Sequence, residues 1–224
     1  MRINVLQHTP NEGPGSIKTW ADEHGDEFYV YHPETFGKLP TSDETDMLVI
    51  LGGPMSPNDD LDWIKKERVL IQELLDQNKP IIGACFGGQQ IAKTLGYNIL
   101  DAPHKEVGWA PVYLKDKTIS SIPEKLIALH WHEQMFEIPD GAKLLFSSDL
   151  VKNQGFLYKD NVVGLQFHFE PEEDNVREIA VNDSEYPLEA NDLHQTGEEI
   201  IAYGVPKENK EVMFKILNYI TKRR

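Results

Sequence analysis

The sequence has only one cysteine, Cys85, in 224 residues. That excludes an internal disulfide and leaves too few thiols for a cysteine-based metal cluster. Basic residues are scarce as well: 22 Lys and Arg stand against 37 Asp and Glu, a formal charge of -15. Extended contact with phosphates needs clustered cations, so no nucleic-acid partner is expected, and the acidic balance reads as solubility. No apolar run approaches the roughly 20 residues of a membrane span. Met1 to Leu6 lacks the long apolar centre of a signal peptide, so a cytoplasmic protein with no membrane partner is expected. Internal repeats and low-complexity linkers are missing too. With 40% apolar and 26% charged residues, the composition predicts one domain over residues 1–224 with a full core and no second catalytic domain.

Short β-branched runs alternate with longer amphipathic segments, a pattern that predicts an α/β fold. Its centre should be an open, mostly parallel sheet flanked by helices on both faces. Strands are expected at Arg2 to Leu6, Glu27 to Tyr31, Met47 to Leu51 and Pro80 to Ala84; the last two are nearly all apolar, as suits strands covered on both faces. Asp60 to Gln77 places Leu61, Ile64, Ile71, Leu74 and Leu75 on one face at the 3.6-residue period and predicts a crossover helix. A second helix should run from Gly87 to Leu95 and stop at Gly96. Further short strands, some antiparallel, are expected at Trp109 to Leu114, Leu126 to His130, Lys143 to Ser147, Gly155 to Tyr158 and Val162 to Phe167. The last fifty residues read as helical, with an acidic stretch from Glu170 to Glu199 and a final amphipathic helix carrying Val212, Met213, Ile216, Leu217 and Ile220.

Gly83-Ala84-Cys85-Phe86-Gly87 follows a strand and precedes a helix, with small residues on both sides of a nucleophile. This is the form of a nucleophile elbow, whose sharp turn projects the side chain while the helix N-terminus favours an anion there. The bland alternative is a small buried hydrophobe. A thiol needs a base, and His168 in Gly164-Leu165-Gln166-Phe167-His168-Phe169-Glu170 ends an apolar strand. Glu170 lies two residues on, where extended chain puts both side chains on one face. The carboxylate can then fix the imidazole tautomer while the other ring nitrogen addresses sulfur. Taken singly, His168 could be a structural histidine and Glu170 a solvated carboxylate; the elbow makes them a candidate triad.

Gly52-Gly53-Pro54 closes the third strand at the carboxyl end of the sheet, where open α/β folds place their sites. The N–H groups of Gly53 and Phe86 are the candidate oxyanion donors. By itself, Gly-Gly-Pro is also an ordinary turn. His130 and His132 share a strand face, but the sequence offers no third ligand beside them, so no metal is expected and entrance or core packing is the reading kept.

With these three motifs in this order, nearly the whole chain resembles the class I glutamine amidotransferases. Gln7-His8, Glu12-Gly13-Pro14-Gly15, Lys105-Glu106-Val107-Gly108-Trp109 and Trp131-His132 resemble stand-alone proteins related to the amidotransferase domain of GMP synthase. The resemblance implies Cys85 as nucleophile, His168 as base, Glu170 as its orienter, and Gly53 and Phe86 as oxyanion donors. It further implies substrate contacts from Gln89 and from Asn153, Gly155 and Phe156, with no cofactor. Two departures stand out. Phe169 occupies a place where many members have proline, and in Trp131-His132-Glu133-Gln134, at the substrate entrance, Glu133-Gln134 follows the histidine where relatives often carry Gly-Asp.

The expected function is hydrolysis of a γ-glutamyl amide bond, in glutamine or another small γ-glutamyl compound, through a γ-glutamyl thioester that releases ammonia or an amine. A glutaminase subunit feeding ammonia to a separate synthetase partner is the alternative, and a non-enzymatic regulatory module on the same fold is a third reading. An α/β-hydrolase is disfavoured because its chain order is nucleophile, acid, histidine, whereas His168 here precedes Glu170.

Overall fold

A computed structural model of the chain describes residues 1–223. Five strands lie parallel in the order β2 (Glu27–Tyr31), β1 (Arg2–Leu6), β3 (Met47–Ile50), β4 (Ile81–Ala84) and β9 (Val162–Leu165). Beyond β9 the sheet continues antiparallel through β8 (Gly155–Tyr158), β7 (Lys143–Ser147), β5 (Ile99–Leu114) and β6 (Lys125–Phe136). The sheet is therefore mixed, parallel only as far as β9. Consecutive strands β5 and β6, β7 and β8, and β8 and β9 pair antiparallel, whereas every parallel pair is joined by a longer connection.

Alternation along the strands explains the layers. Ile3, Val5, Met47, Val49, Ile82 and Val163 pack on one face against α1 (Ser16–Glu23) and α7 (Lys207–Ile220), where Trp20, Met213 and Ile216 are buried. Leu6, Leu48, Ile50 and Ile81 pack on the other face against Leu70, Ile71 and Leu74 of α3 (Asp62–Asp76) and Ile91 of α4 (Phe86–Thr94). Each such side chain contributes about 1.5–3 kcal/mol on burial. A third cluster joins Val107, Trp109, Leu129 and Trp131 of β5 and β6 to α5 (Glu173–Asn182) and α6 (Gly197–Tyr203).

The strands of the first half and β7, β8 and β9 lie where the residue pattern puts them, within two residues at any end. The expected helices at Asp60 to Gln77 and Gly87 to Leu95 are α3 and α4, and Gly96 beyond α4 has a φ of 93°. Two expectations are corrected. Trp109 to Leu114 and Leu126 to His130 are parts of two long strands of 16 and 12 residues. Their register shifts between Asp101 and Glu106, so the charged residues there interrupt the alternation by which the strands would be recognised. The acidic stretch from Glu170 to Glu199 is split into α5, a 3₁₀ turn at Tyr186–Leu188 and α6. Two helices were not expected, α1 and the four-residue α2 (Pro33–Phe36). Among the described residues, no helix is long and apolar enough to cross a membrane.

Candidate active site

Cys85 stands between the end of β4 and the start of α4 with φ 48° and ψ -111°, a left-handed conformation rare for a residue with a side chain. The tightness of the crossing explains its flanking glycines. A Cβ on Gly87 would strike the backbone carbonyl of Ile50, and one on Gly83 would strike the backbone of Gly87. The turn is fastened by Cys85 N–H donating to the Leu165 carbonyl at 2.8 Å and Gln89 N–H donating to the Cys85 carbonyl at 3.0 Å. The thiol is nearly buried, with the Trp131 carbonyl and the Gln166 side-chain amide each 3.7 Å from Sγ.

β4 and β9 are neighbours with Ala84 opposite Leu165, so the chain leaving β9 runs alongside the elbow. His168 is pinned there by a bridge to β6, its N–H donating to the Leu129 carbonyl at 2.8 Å. Its Nδ1 lies 2.5 Å from Glu170 Oε1, and both side chains are buried. Glu170 is fixed in turn by its backbone, whose carbonyl accepts from Ser16 N–H at 2.8 Å. Burial opposes a charged imidazole, yet Glu170 and the nearby Cys85 outweigh it, and the His168 pKa stands well above its ordinary value. Nε2 makes no hydrogen bond to another protein group among the described residues. It is thus available to a thiol or a leaving group.

Cys85, Gly53 and Gln89 line one cleft of about 480 Å³, together with Trp131, His132, Glu133 and Gln134 at its edge. The segment that departs from the resembled pattern therefore forms part of the wall. Gln89 is buried, its amide donating to Gln166 Oε1 at 3.2 Å. Phe86 begins α4 directly after the nucleophile, where the N–H groups of a helix lack intrahelical partners. A larger depression of about 770 Å³ lies elsewhere, between the start of β6 and the segment Tyr203 to Pro206, and no Cys, Ser, Thr or His lines it.

Asn153, Gly155 and Phe156, the other expected substrate contacts, lie away from the cleft lining. The Asn153 amide is engaged by the Phe136 carbonyl at 3.0 Å, Gly155 belongs to β8, and Phe156 is wholly buried, edge-on to Phe136 at 5.1 Å. Residue spacing alone could not point to Glu12, Asp183 and Tyr186, which the fold brings into the cleft. Glu12 reaches over Gly52, where any Cβ would collide with its carboxylate and lie 3.0 Å from His168 Cε1. Burial pushes the Glu12 carboxyl up; His168 pulls it down and Glu170 pushes it up, with a net rise.

The third partner missing beside His130 and His132 is Glu106, set opposite His132 by the β5–β6 register. Its Oε2 lies 3.2 Å from His132 Nε2 and 3.5 Å from His130 Nδ1, and the three possible ligand atoms sit within 4.8 Å of one another. The same carboxylate already accepts from Gln154 Nε2 at 2.5 Å and Ser148 Oγ at 2.7 Å. Burial would push the Glu106 carboxyl up, but the two histidines hold it well below the usual carboxylate range. Both Glu106 oxygens are thus engaged, while His130 Nε2 and His132 Nδ1 are buried with no partner among the described residues.

Residues 27–178 match the family model described as glutamine amidotransferase class-I, and the chain belongs to that family. Among curated relatives, the glutamine amidotransferase-like protein YfeJ of Salmonella typhimurium is 31% identical over 76% of this chain and 76% of its own length. γ-Glutamyl peptidase 4 of Arabidopsis thaliana is 29% identical over 70% of this chain and 66% of its own. A glutamine-hydrolysing GMP synthase subunit of Thermoplasma acidophilum is 31% identical over 58% of this chain and 66% of its own. A crystal structure of a glutamine amidotransferase from Thermotoga maritima superposes with a TM-score of 0.90 at 26% identity, covering 99% of this chain and 98% of that one.

Proposed function

We propose that the chain is a cysteine hydrolase of γ-glutamyl amide bonds, with Cys85 as nucleophile, His168 as general base and acid, and Glu170 as the group that orients His168. The observation that carries this reading is the elbow thiol sharing a cleft with Gly53 while the neighbouring His168 is fixed at Nδ1 and free at Nε2. In the first half-reaction His168 Nε2 takes the thiol proton and Sγ bonds to the γ-carbonyl carbon. The Gly53 and Phe86 N–H groups stabilise the oxyanion. As the intermediate collapses, the C–N bond breaks and His168 returns the proton to the departing nitrogen, leaving a thioester. Water then adds to the thioester and gives its proton to His168. Cleavage of the C–S bond restores the thiol and frees the γ-carboxylate.

A free-standing hydrolase is favoured by Glu133 and Gln134 in the cleft wall, which depart from the resembled pattern, and by the likeness to a γ-glutamyl peptidase. The second reading, that of a subunit supplying ammonia, is supported by the likeness to a GMP synthase subunit. A single screen separates them: the purified chain is given glutamine and a set of γ-glutamyl dipeptides, and ammonia, amine and glutamate release are measured. Turnover of a γ-glutamyl dipeptide by the lone chain is the expected result. Activity on glutamine alone, and only after a cell fraction is added, would establish the subunit reading instead.

A further inference from the structure

The proposed mechanism leaves a buried charged pair unused. His8, two residues beyond β1, and Glu67, within α3, are 2% and 0% exposed, with His8 Nε2 2.7 Å from Glu67 Oε1. Gln90 of α4 donates to the other Glu67 oxygen at 2.9 Å, and its own Oε1 accepts from Arg68 at 3.1 Å. An ion pair of this kind is costly to desolvate, and apolar residues of the same volume often stabilise a fold equally well. Its distinctive feature is the second ring nitrogen, since His8 Nδ1 lies 3.2 Å from the Gly52 carbonyl oxygen.

A carbonyl oxygen can only accept, so Nδ1 carries a hydrogen. In a planar trans peptide the Gly52 C=O and the Gly53 N–H point in opposite directions. Holding the carbonyl towards the interior aims the N–H away from His8, on the side where Gly53 and Cys85 line the cleft. A Gly-Gly peptide has no side chain of its own to fix that orientation. The His8 ring also packs edge-on against Phe86 at 4.7 Å and stacks with Trp63 at 5.5 Å. Both candidate oxyanion donors therefore rest on one imidazole.

We propose that His8 is the positioning residue of the oxyanion hole: its Nδ1–H, oriented by Glu67, holds the Gly52–Gly53 peptide with its N–H facing the reacting carbonyl. This inference rests on the hydrolase reading. Burial disfavours the charged ring, but Glu67 and the Gly52 carbonyl raise the His8 pKa above its ordinary value, in keeping with two donating nitrogens.

Two near-isosteric variants divide the functions of the ring. His8→Gln places an amide where Nε2 was, keeping a partner for Glu67 and losing the bond to Gly52. His8→Asn places an amide where Nδ1 was, keeping the bond to Gly52. Steady-state hydrolysis of the best γ-glutamyl dipeptide is measured for each, alongside the rate of Cys85 alkylation by iodoacetamide, a displacement that forms no oxyanion. His8→Gln should lower kcat about ten- to a hundredfold, somewhat less than outright loss of a donor, with KM and the alkylation rate nearly unchanged. His8→Asn should recover most of the lost kcat. If His8→Gln does not fold, Glu67→Gln carries the same test, with a fall in kcat at constant KM expected. An active wild type with equally active His8→Gln overturns the inference alone, as does a loss shared by both His8 variants with slowed alkylation. A wild type inert towards every amide removes the hydrolase reading and this inference with it.

Discussion

Glu170→Gln tests the division of roles within the candidate triad. Both His168 and Glu170 are 3% exposed, so solvent does little to screen the charge between them. Their contact atoms are 2.5 Å apart, which puts the charge centres roughly 4 Å apart, where opposite charges attract by about 4 kcal/mol at an effective dielectric constant of 20. Glutamine keeps the shape and a neutral hydrogen bond of about 1 kcal/mol. The imidazolium thus loses about 3 kcal/mol, close to two decades in the population of the charged ring. The amide can also turn its NH₂ towards the ring and reverse the tautomer. Hydrolysis should fall about a hundredfold or more, followed as glutamate release, while circular dichroism reports an unchanged fold.

Stability should respond with a definite sign. The His168 value is raised in the folded chain, so the pair stabilises it fully below the unfolded value of about 6.5 and loses that contribution as pH rises through the folded value. Glu170→Gln should remove that alkaline loss from the denaturation curves. Turnover within about threefold of the parent, in a folded variant, would refute the assigned role of Glu170.

Cys85→Ala should abolish hydrolysis, and one equivalent of iodoacetamide should silence the parent chain, since Cys85 is its only thiol; activity surviving either treatment would remove Cys85 from the mechanism. Gly164→Ala should cost about 1–3 kcal/mol in urea denaturation, because its Cβ would run into the Phe156 ring. An unchanged midpoint would mean that the ring has room to move. Prolonged dialysis against a chelator should leave the melting temperature and the turnover rate unchanged, because Gln154 and Ser148 already satisfy Glu106 beside His130 and His132. A chelator-dependent fall in melting temperature, reversed by zinc, would mark that cluster as an ion site.

The elbow and the order of its partners were legible because each is local: Gly83 to Gly87 encode a turn between a strand and a helix, and His168 and Glu170 are two residues apart. The apolar runs of β3 and β4 were legible for the same reason. What the residues could not reveal depends on register between distant segments. Glu106 joins His132 only through the β5–β6 pairing, and Glu12 reaches His168 only through the loop that leads into α1. The substrate contacts that the resemblance implied at Asn153, Gly155 and Phe156 have no local pattern of their own to place them in the cleft. The side chains there are taken up by Phe136 and the sheet interior.

β4 and β9 meet across a ladder of only four residue pairs, although some eighty residues separate them in the chain. During synthesis Cys85 leaves the ribosome well before His168 does. Until β9 docks, the elbow strand lacks one of its two neighbours and the thiol has neither His168 nor the wall supplied by β6 beside it. Parallel pairings of such long range are late events in folding. A nascent or half-folded chain therefore holds Cys85 without its candidate partners, and the proposed triad can assemble only when the last central strand is in place. The change in alkylation rate that follows dilution from denaturant would then time the closing of the sheet.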